Sequence, residues 1–497
     1  MPAPTTDPLT RPTLTDLQRR DHAVVWHPCS QMKDYEAFPP LEIKAAKGCQ
    51  IELADGRKLY DAISSWWCKS LGHSHPALNA ALSAQAEHFE HVIGANTTSE
   101  ALVRLCERLT ALCNESGGTG IGDLGSEQNH QIPTEARAPN PEPRTPHFGK
   151  CFFADNGSTG VEVALKMALQ AQHQRGQTQR TKLAALSNGY HGETAGAMSV
   201  SDLDLYQSPH GSMMFEVAKV TGLPYRVGPD DPAWMDASAE WPEIEKQLDA
   251  QADVLAAIIY EPVLQAAGGM SIYSPDLLRR LRQWADTNGV YLVADEIAAG
   301  LGRCGGWLAS HLANGAEALP DFAVVSKGLT AGYLPMSVVL ATDPVYDLFY
   351  DDYFSGKAFM HSNTYAGSAL GVAVAHAAFD VYEQSDILGY VAETGPLLRQ
   401  KLHQLAVDRP GLRNVRGVGM TAAVDLFKPD GTAFDPHHRT GYRVYQEAVK
   451  RGALLRPLGD VMYLFPPLNV TEPEIHAMGE ILGDSIDAVM SEHPELR

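Results

Sequence analysis

Short apolar runs bounded by polar or turn residues recur through the middle of the chain: "CFFA" (151–154), "LAALS" (183–187), "LAAIIY" (255–260), "VYLVA" (290–294) and "FAVVS" (322–326). Runs of this length without alternation fit strands buried on both faces. Between two of them, Ser274-Pro275 opens a predicted helix that sets Leu277, Leu278, Leu281 and Trp284 on one face, and Gly289 ends it. Strand, helix and strand at this spacing predict a mostly parallel sheet flanked by helices.

Upstream, "IEL", a turn at 54–57 and "KLYDAISSWW" predict strand, turn and strand over residues 51–67. Helical spacing follows in Leu78, Ala81, Leu82 and Ala86, and again in Leu102, Leu105, Leu109 and Leu112. From Asn114 to Lys150 the pattern fails. Gly and Pro dominate, apolar residues are scarce, and a flexible surface insertion is predicted, because so little burial cannot offset the entropy of ordering. After about residue 370 longer helices return with strand-like "GMTAAVDLF" (419–427) and "VMYLFPP" (461–467), which predict a smaller α+β domain. The expected division is an N-terminal segment of the small domain over 1–72, a large domain over 73–370, and the rest of the small domain over 371–497.

Composition narrows the partners. The 497 residues carry 39 Lys+Arg against 60 Asp+Glu, a formal charge of −21, which repels nucleic-acid phosphates and anionic lipid. No apolar window reaches membrane-span length, and residues 1–17 have the pattern of neither a signal nor a transit peptide. Seven scattered cysteines without C-x-x-C fit reduced thiols. The expected location is the cytoplasm. His73 with His75, and His27 with Cys29, resemble metal pairs but lack further ligands at metal-site spacing, so no metal site is expected.

In a parallel α/β sheet, ligands bind at the carboxyl ends of strands. The residues there are Asp155-Asn156-Gly157-Ser158, Asn188-Gly189-Tyr190-His191, Glu261, Asp295-Glu296 and Lys327. Gly300-Leu301-Gly302-Arg303-Cys304-Gly305 spells the G-x-G-x-x-G of dinucleotide sites. Five residues separate it from its strand, however, and the next acid, Asp321, precedes a strand instead of ending one. A phosphate cradle is better placed at Gly157-Ser158-Thr159-Gly160, where Thr159 to Glu162 reads as a capping box opening a helix. Asp295 and Lys327 gain meaning together. Pyridoxal phosphate needs a lysine amine, a carboxylate for its ring nitrogen, a helix N-terminus for its phosphate and an aromatic face. Lys327, Asp295, the 157–160 turn and Tyr190 supply these four.

Over nearly its whole length the sequence resembles the class III aminotransferases of fold type I. The matching stretches are "LGHSHP" (71–76), "ADNGSTGVEVALKMA" (154–168), "YHGETAGAMSV" (190–200), "EPVLQAAGGM" (261–270), "ADEIAAGLGRCG" (294–305), "SKGLTAG" (326–332), "HSNTYAGSALG" (361–371) and "RGVGM" (416–420). Within the class, "WHPCSQMKD" (26–34), "SSWW" (64–67), Arg456 and Tyr463 are most similar to members that transfer an amino group from S-adenosylmethionine to 8-amino-7-oxononanoate. Cys29 stands where many members carry Tyr, and Ser362-Asn363-Thr364 where many carry G-P-T.

The resemblance implies a pyridoxal-phosphate-dependent transferase with a large, mostly parallel domain and a smaller α+β domain. It implies that Lys327 anchors the cofactor and acts as base, Asp295 pairs with the pyridine nitrogen, and Tyr190 packs on the ring. Gly157 and Ser158 would hold the phosphate, with Thr364 reaching in from the partner subunit of a homodimer with shared active sites. Trp66, Trp67 and Tyr190 would line the substrate channel, and Arg456 would grip the oxo-acid carboxylate with Tyr463 nearby. Other readings stay open: a member of the class using an ω-amino acid, ornithine or lysine as donor, a pyridoxal-phosphate aminomutase, or a non-catalytic dimer.

Overall fold

The computed structural model describes residues 13–115, 147–313 and 315–492. The predicted helical spacings give α1 (Pro76–Ala86), with Pro in its first turn, and α2 (Glu100–Asn114), capped by Ser99 Oγ, which accepts from Leu102 N–H at 3.2 Å. The insertion expected over 114–150 is shorter at both ends. Helix α2 runs to Asn114, a strand begins at Phe148, and 116–146 lies outside the described residues. Asn114 ties the two ends together: its amide donates to Phe148 O (2.9 Å) and accepts from Phe148 N–H (2.8 Å).

The central sheet has seven strands: β1 (Phe148–Ala154), β2 (Lys182–Leu186), β3 (Ala218–Val220), β4 (Leu255–Tyr260), β5 (Tyr291–Asp295), β6 (Phe322–Val325) and β7 (Ser337–Thr342). Their order is β1-β7-β6-β5-β4-β2-β3. All five predicted runs are strands of this sheet; β3 and β7 were not among them. β7 runs antiparallel to β6 and β1, and the other pairings are parallel. Strands β4 to β7 are buried along their whole length, which is why their sequences are continuously apolar rather than alternating.

Helix α3 (Gly157–Gln174) packs across the sheet through Val161, Ala164, Leu165 and Ala168. It begins earlier than the capping box expected at Thr159–Glu162. Asn156 is the cap: its side chain accepts from Thr159 N–H (3.1 Å), and Thr159 Oγ1 accepts from Asn156 N–H (3.1 Å). Glu162 instead accepts from Gly196 N–H at 2.7 Å. Helix α4 (Asp276–Asn288) closes at Gly289, whose φ of 66° is the left-handed turn that glycine adopts without strain.

Around this core, strands 43–47, 50–53 and 58–61 join the short strand 453–454 in one sheet, so N-terminal and C-terminal segments meet. Strands 412–417, 422–426 and 461–464 form an antiparallel sheet of their own. The strand expected through 67 ends at Asp61. Buried Asp61 accepts from Ser65 N–H (2.7 Å) and meets His73 Nε2 (2.7 Å), and residues 64–67 become a kinked turn. Among the described residues no helix is long and apolar enough to cross a membrane.

At Gly160, where α3 lies against the sheet, an added Cβ would sit 2.8 Å from both Ser337 Oγ and Val324 Cγ1. Gly160→Ala is therefore expected to destabilise the fold by about 1–3 kcal/mol, the cost of overpacking a filled interior. An unchanged urea midpoint would show that α3 can move away freely.

Candidate active site

Strand register brings the chemistry together. Ala294 pairs with Tyr260 and Asp295 with Val324, so the ends of β4, β5 and β6 lie side by side. Glu261 follows β4, Asp295 ends β5, and Lys327 lies two residues beyond β6. A cleft of about 240 Å³ opens there, lined by these three groups with Trp67, Tyr190 and His191, and by the Asn156–Ser158 turn. Trp66, Arg456, Tyr463 and Thr364 do not line it within the single chain.

Asp295 is buried, and its two oxygens are fixed separately. Oδ2 meets His191 Nδ1 at 2.7 Å, and Oδ1 accepts from Ile297 N–H at 3.1 Å. The other ring nitrogen of His191, Nε2, is buried and has no hydrogen-bond partner among the described residues. Glu261 accepts from Tyr190 N–H (2.9 Å) and Ala266 N–H (3.1 Å). Burial and the neighbouring Asp295 nonetheless push its carboxyl up to about 8. Lys327 lies deep in the cleft, its Nζ 5.6 Å from the centre of the Trp67 ring. Burial lowers its pKa, and the charges of Asp295 and Glu261 offset part of that. A lysine so placed is more easily deprotonated than one in water, as a base or nucleophile requires.

Trp67 sits on unusual backbone: Ser64, Ser65 and Trp67 have φ of 49°, 61° and 62°. Non-glycine residues seldom hold this conformation, and it clusters at functional sites. Trp67 Nε1 donates to the hydroxyl of buried Tyr463 at 3.1 Å. Trp66 is 45% exposed and carries the Arg456 guanidinium 4.6 Å from its ring centre. Arg456 donates to Cys29 O at 3.3 Å. The Tyr190 hydroxyl donates to Glu193 (3.0 Å), and its ring lies 5.3 Å from that of Tyr206. Thr364 is exposed in a loop of its own chain.

Whether these residues suit pyridoxal phosphate can be tested on the backbone. Among the described residues no acceptor takes the N–H of Gly157 or of Ser158, so two donors at the positive end of α3 remain for an anion. The turn is also closed to side chains. A Cβ on Gly157 would meet Ile297 Cδ1 at 2.9 Å, and one on Gly192, at φ 122°, would lie 1.8 Å from Ser158 Oγ. An anion cradle, a buried carboxylate held by histidine and a depressed lysine in one cleft fit the cofactor. His191, Glu261 and Gly192 were not assigned roles from the sequence, although His191 and Glu261 stand at the strand ends where ligands bind. The Gly300–Gly305 pattern does not line this cleft; it folds as tight turns in which Gly302 N–H donates to Gly306 O at 2.9 Å.

The chain is similar to known proteins over nearly its whole length. The sequence profile of the family Aminotransferase class-III matches residues 31–486. The adenosylmethionine-8-amino-7-oxononanoate aminotransferase of Synechococcus elongatus is 36% identical over 94% of this chain and 99% of its own. The protein of the same name in Geobacter sulfurreducens is 34% identical over 96% and 98%. Among solved structures, a PLP-bound amine transaminase from an uncultivated Pseudomonas species superposes with a TM-score of 0.80 at 29% identity, over 94% of this chain and 99% of its own.

The raised Glu261 carboxyl has a consequence for stability. The folded protein holds its proton more tightly than the unfolded chain, so its contribution is full below pH 4.5 and is lost as pH rises through about 8. Without cofactor, the wild type should lose unfolding free energy across that window relative to Glu261→Gln. Urea titrations at both ends of the window measure this, and a constant difference between the two proteins would contradict it.

Proposed function

The chain belongs to the class-III aminotransferases, and on that premise we propose that it transfers the amino group of S-adenosylmethionine to 8-amino-7-oxononanoate. The product is 7,8-diaminononanoate, an intermediate of biotin biosynthesis, and pyridoxal phosphate is the cofactor. The substrate assignment is carried by near full-length similarity to relatives of that name. The reaction is supported by Lys327, Asp295 and the free N–H end of α3 facing one cleft.

In this reading Gly157 and Ser158 hold the cofactor phosphate with the first N–H groups of α3, assisted by Thr364 of the partner subunit. Asp295 would pair with the ring nitrogen, Tyr190 would pack on the ring, and Lys327 would be the covalent anchor. When bound, the cofactor supplies the electron sink and carries the amino group between substrates. The chain supplies proton transfer and position. Lys327 Nζ, lowered by burial, takes the proton that leaves the donor Cα. Asp295, held by His191 and the Ile297 N–H, would face the ring nitrogen and favour its protonated form. Glu261 fixes the backbone of Tyr190. Trp67 closes one side of the cleft against water. Both substrates would use the same cleft in turn, and Arg456, stacked on Trp66 outside the lining that the single chain provides, would hold the oxo-acid carboxylate.

We place the enzyme in the cytoplasm as a homodimer with shared active sites. We also divide the chain into a small domain of 1–72 and 371–497 around a large domain of 73–370. The parallel pairing of strand 453–454 with 58–61 supports joining the two chain ends.

Mass spectrometry of the cofactor-loaded protein with both substrates should detect 7,8-diaminononanoate, and Lys327→Ala should make none. Product formed only when lysine or another ω-amine replaces S-adenosylmethionine would reject the donor, and no product with any donor would reject the acceptor. Arg456→Ala should raise KM for the oxo acid about tenfold to a hundredfold, as loss of a hydrogen-bonded charge does. An unchanged KM would mean that another group binds that carboxylate.

A further inference from the structure

The turn that carries Lys327 is held from outside by groups that do not line the cleft. It spans Lys327–Thr330 and ends at Ala331, whose φ of 47° is left-handed. Within its own loop, Ser326 Oγ donates to Met336 O (2.8 Å) and Thr330 Oγ1 to Leu334 O (2.6 Å). From outside comes Tyr382, on helix α5 (Ala369–Gln384), which is fully buried and whose hydroxyl donates to Gly328 O at 2.8 Å. A phenol has one proton to donate. The 2.5 Å contact between Tyr382 and Ser70 Oγ therefore runs the other way, with Ser70 as donor and the tyrosine oxygen as acceptor. Serine, tyrosine and carbonyl form one buried relay that ends beside Lys327, and hydrogen bonds in such a chain strengthen one another.

The stretch that supplies Ser70 also carries the aromatic wall. Cys68 N–H (3.0 Å) and Lys69 N–H (3.1 Å) both donate to Ser64 O, so the left-handed turn bearing Trp67 continues directly into the relay. Lys69 Nζ adds a second tie, donating to Gly332 O at 2.9 Å just past the lysine turn. The two backbones are in close contact there: a Cβ on Gly332, at φ 73°, would lie 2.8 Å from Cys68 O. Leu301 closes another side, its Cβ 3.1 Å from where a Cβ on Gly328 would sit. Lys327 Nζ and the Trp67 ring, 5.6 Å apart, are thus set relative to each other by contacts behind the cleft.

We propose that Tyr382 is a positioning residue for Lys327: through Gly328 O it fixes the turn that aims the amine, and through Ser70 it ties that turn to the Trp67 wall. This role presumes Lys327 as the reactive amine, and only the kinetic arm of the test below also rests on the proposed substrates.

Tyr382→Phe keeps the ring and removes the hydroxyl. Tyr390→Phe is the control, because the Tyr390 hydroxyl makes the same kind of bond, to Val470 O at 2.7 Å, and does not line the cleft. The first arm uses no substrate: visible circular dichroism of the pyridoxal-phosphate-loaded full chain, normalised to bound cofactor. Tyr382→Phe should change the amplitude or sign of the cofactor band, and Tyr390→Phe should leave it as in the wild type. If Tyr382→Phe does not fold, Ser70→Ala must change the band in its place. An unchanged band in a folded, fully loaded variant overturns the proposal. In the second arm Tyr382→Phe should lower kcat about tenfold and move KM by less than about twofold, as loss of one hydrogen bond that orders the reacting amine does. Ser70→Ala should slow the wild type yet change kcat by less than about twofold in Tyr382→Phe, since both act through one relay. A kcat lowered no further than in Tyr390→Phe overturns the proposal. A wild type that binds no pyridoxal phosphate, or is inactive with these substrates, counts against the functional assignment instead. Hydrogen exchange of the peptide over 326–336 then decides the role of Tyr382: faster exchange in Tyr382→Phe than in Tyr390→Phe supports it, and equal exchange overturns it.

Discussion

The structure depends on holding a lysine amine beside acid–base groups at the carboxyl ends of adjacent parallel strands, largely away from bulk water. Removing charge from water is unfavourable unless each group is paired or hydrogen-bonded. Here each is handled differently. Asp295 has both oxygens engaged, by His191 and by the Ile297 N–H. Glu261 accepts two backbone N–H groups yet is still pushed up to about 8 by burial and by Asp295. Lys327 is lowered by burial while the same two carboxylates oppose the shift. One acid thus has both oxygens hydrogen-bonded, a second is made easier to protonate, and an amine is made easier to deprotonate. Sheet register produces this, because Asp295 pairs with Val324 only three residues before Lys327.

The rest of the cleft is built by backbone rather than by further charges. Among the described residues no acceptor takes the first two N–H groups of α3, and the turn around them excludes side chains at Gly157 and Gly192. On the opposite side, left-handed conformations at Ser64, Ser65 and Trp67 turn the chain sharply after Asp61. Asp61 holds that turn from beneath through the Ser65 N–H and His73. The strain at 64–67 is stabilised by a buried carboxylate outside the cleft, and the Trp67 wall is braced by Tyr463 and Phe465.

Much of this was legible in the sequence, for physical reasons. Interior strands are short and apolar, so β2, β4, β5 and β6 stood out, as did the half-buried apolar end of β1, and the residues after them named the cleft. Strand β7, "SVVLAT", has the same texture but returns antiparallel, and only a short 3-10 turn at Lys327–Thr330, not a crossover helix, separates it from β6. The start of α3 was set too late because Thr159 and Glu162 have capping-box spacing, whereas Asn156 is the cap and Glu162 serves Gly196. The turn at 64–67 was hidden because Trp and Ser read as strand residues, and only the buried Asp61 determines where the strand stops. His191 and Glu261 act through contacts to Asp295 and Tyr190 that are distant in sequence, so local pattern could place them but could not give them a role.

The central claim, that Lys327 is the amine to which the cofactor attaches, is tested most directly by reducing the pyridoxal-phosphate-loaded protein with borohydride and mapping its peptides by mass spectrometry. The account predicts a phosphopyridoxyl mass increment on the peptide containing Lys327 and on no other lysine peptide. An increment fixed on a different lysine, or none on a protein that carries bound cofactor, would contradict it.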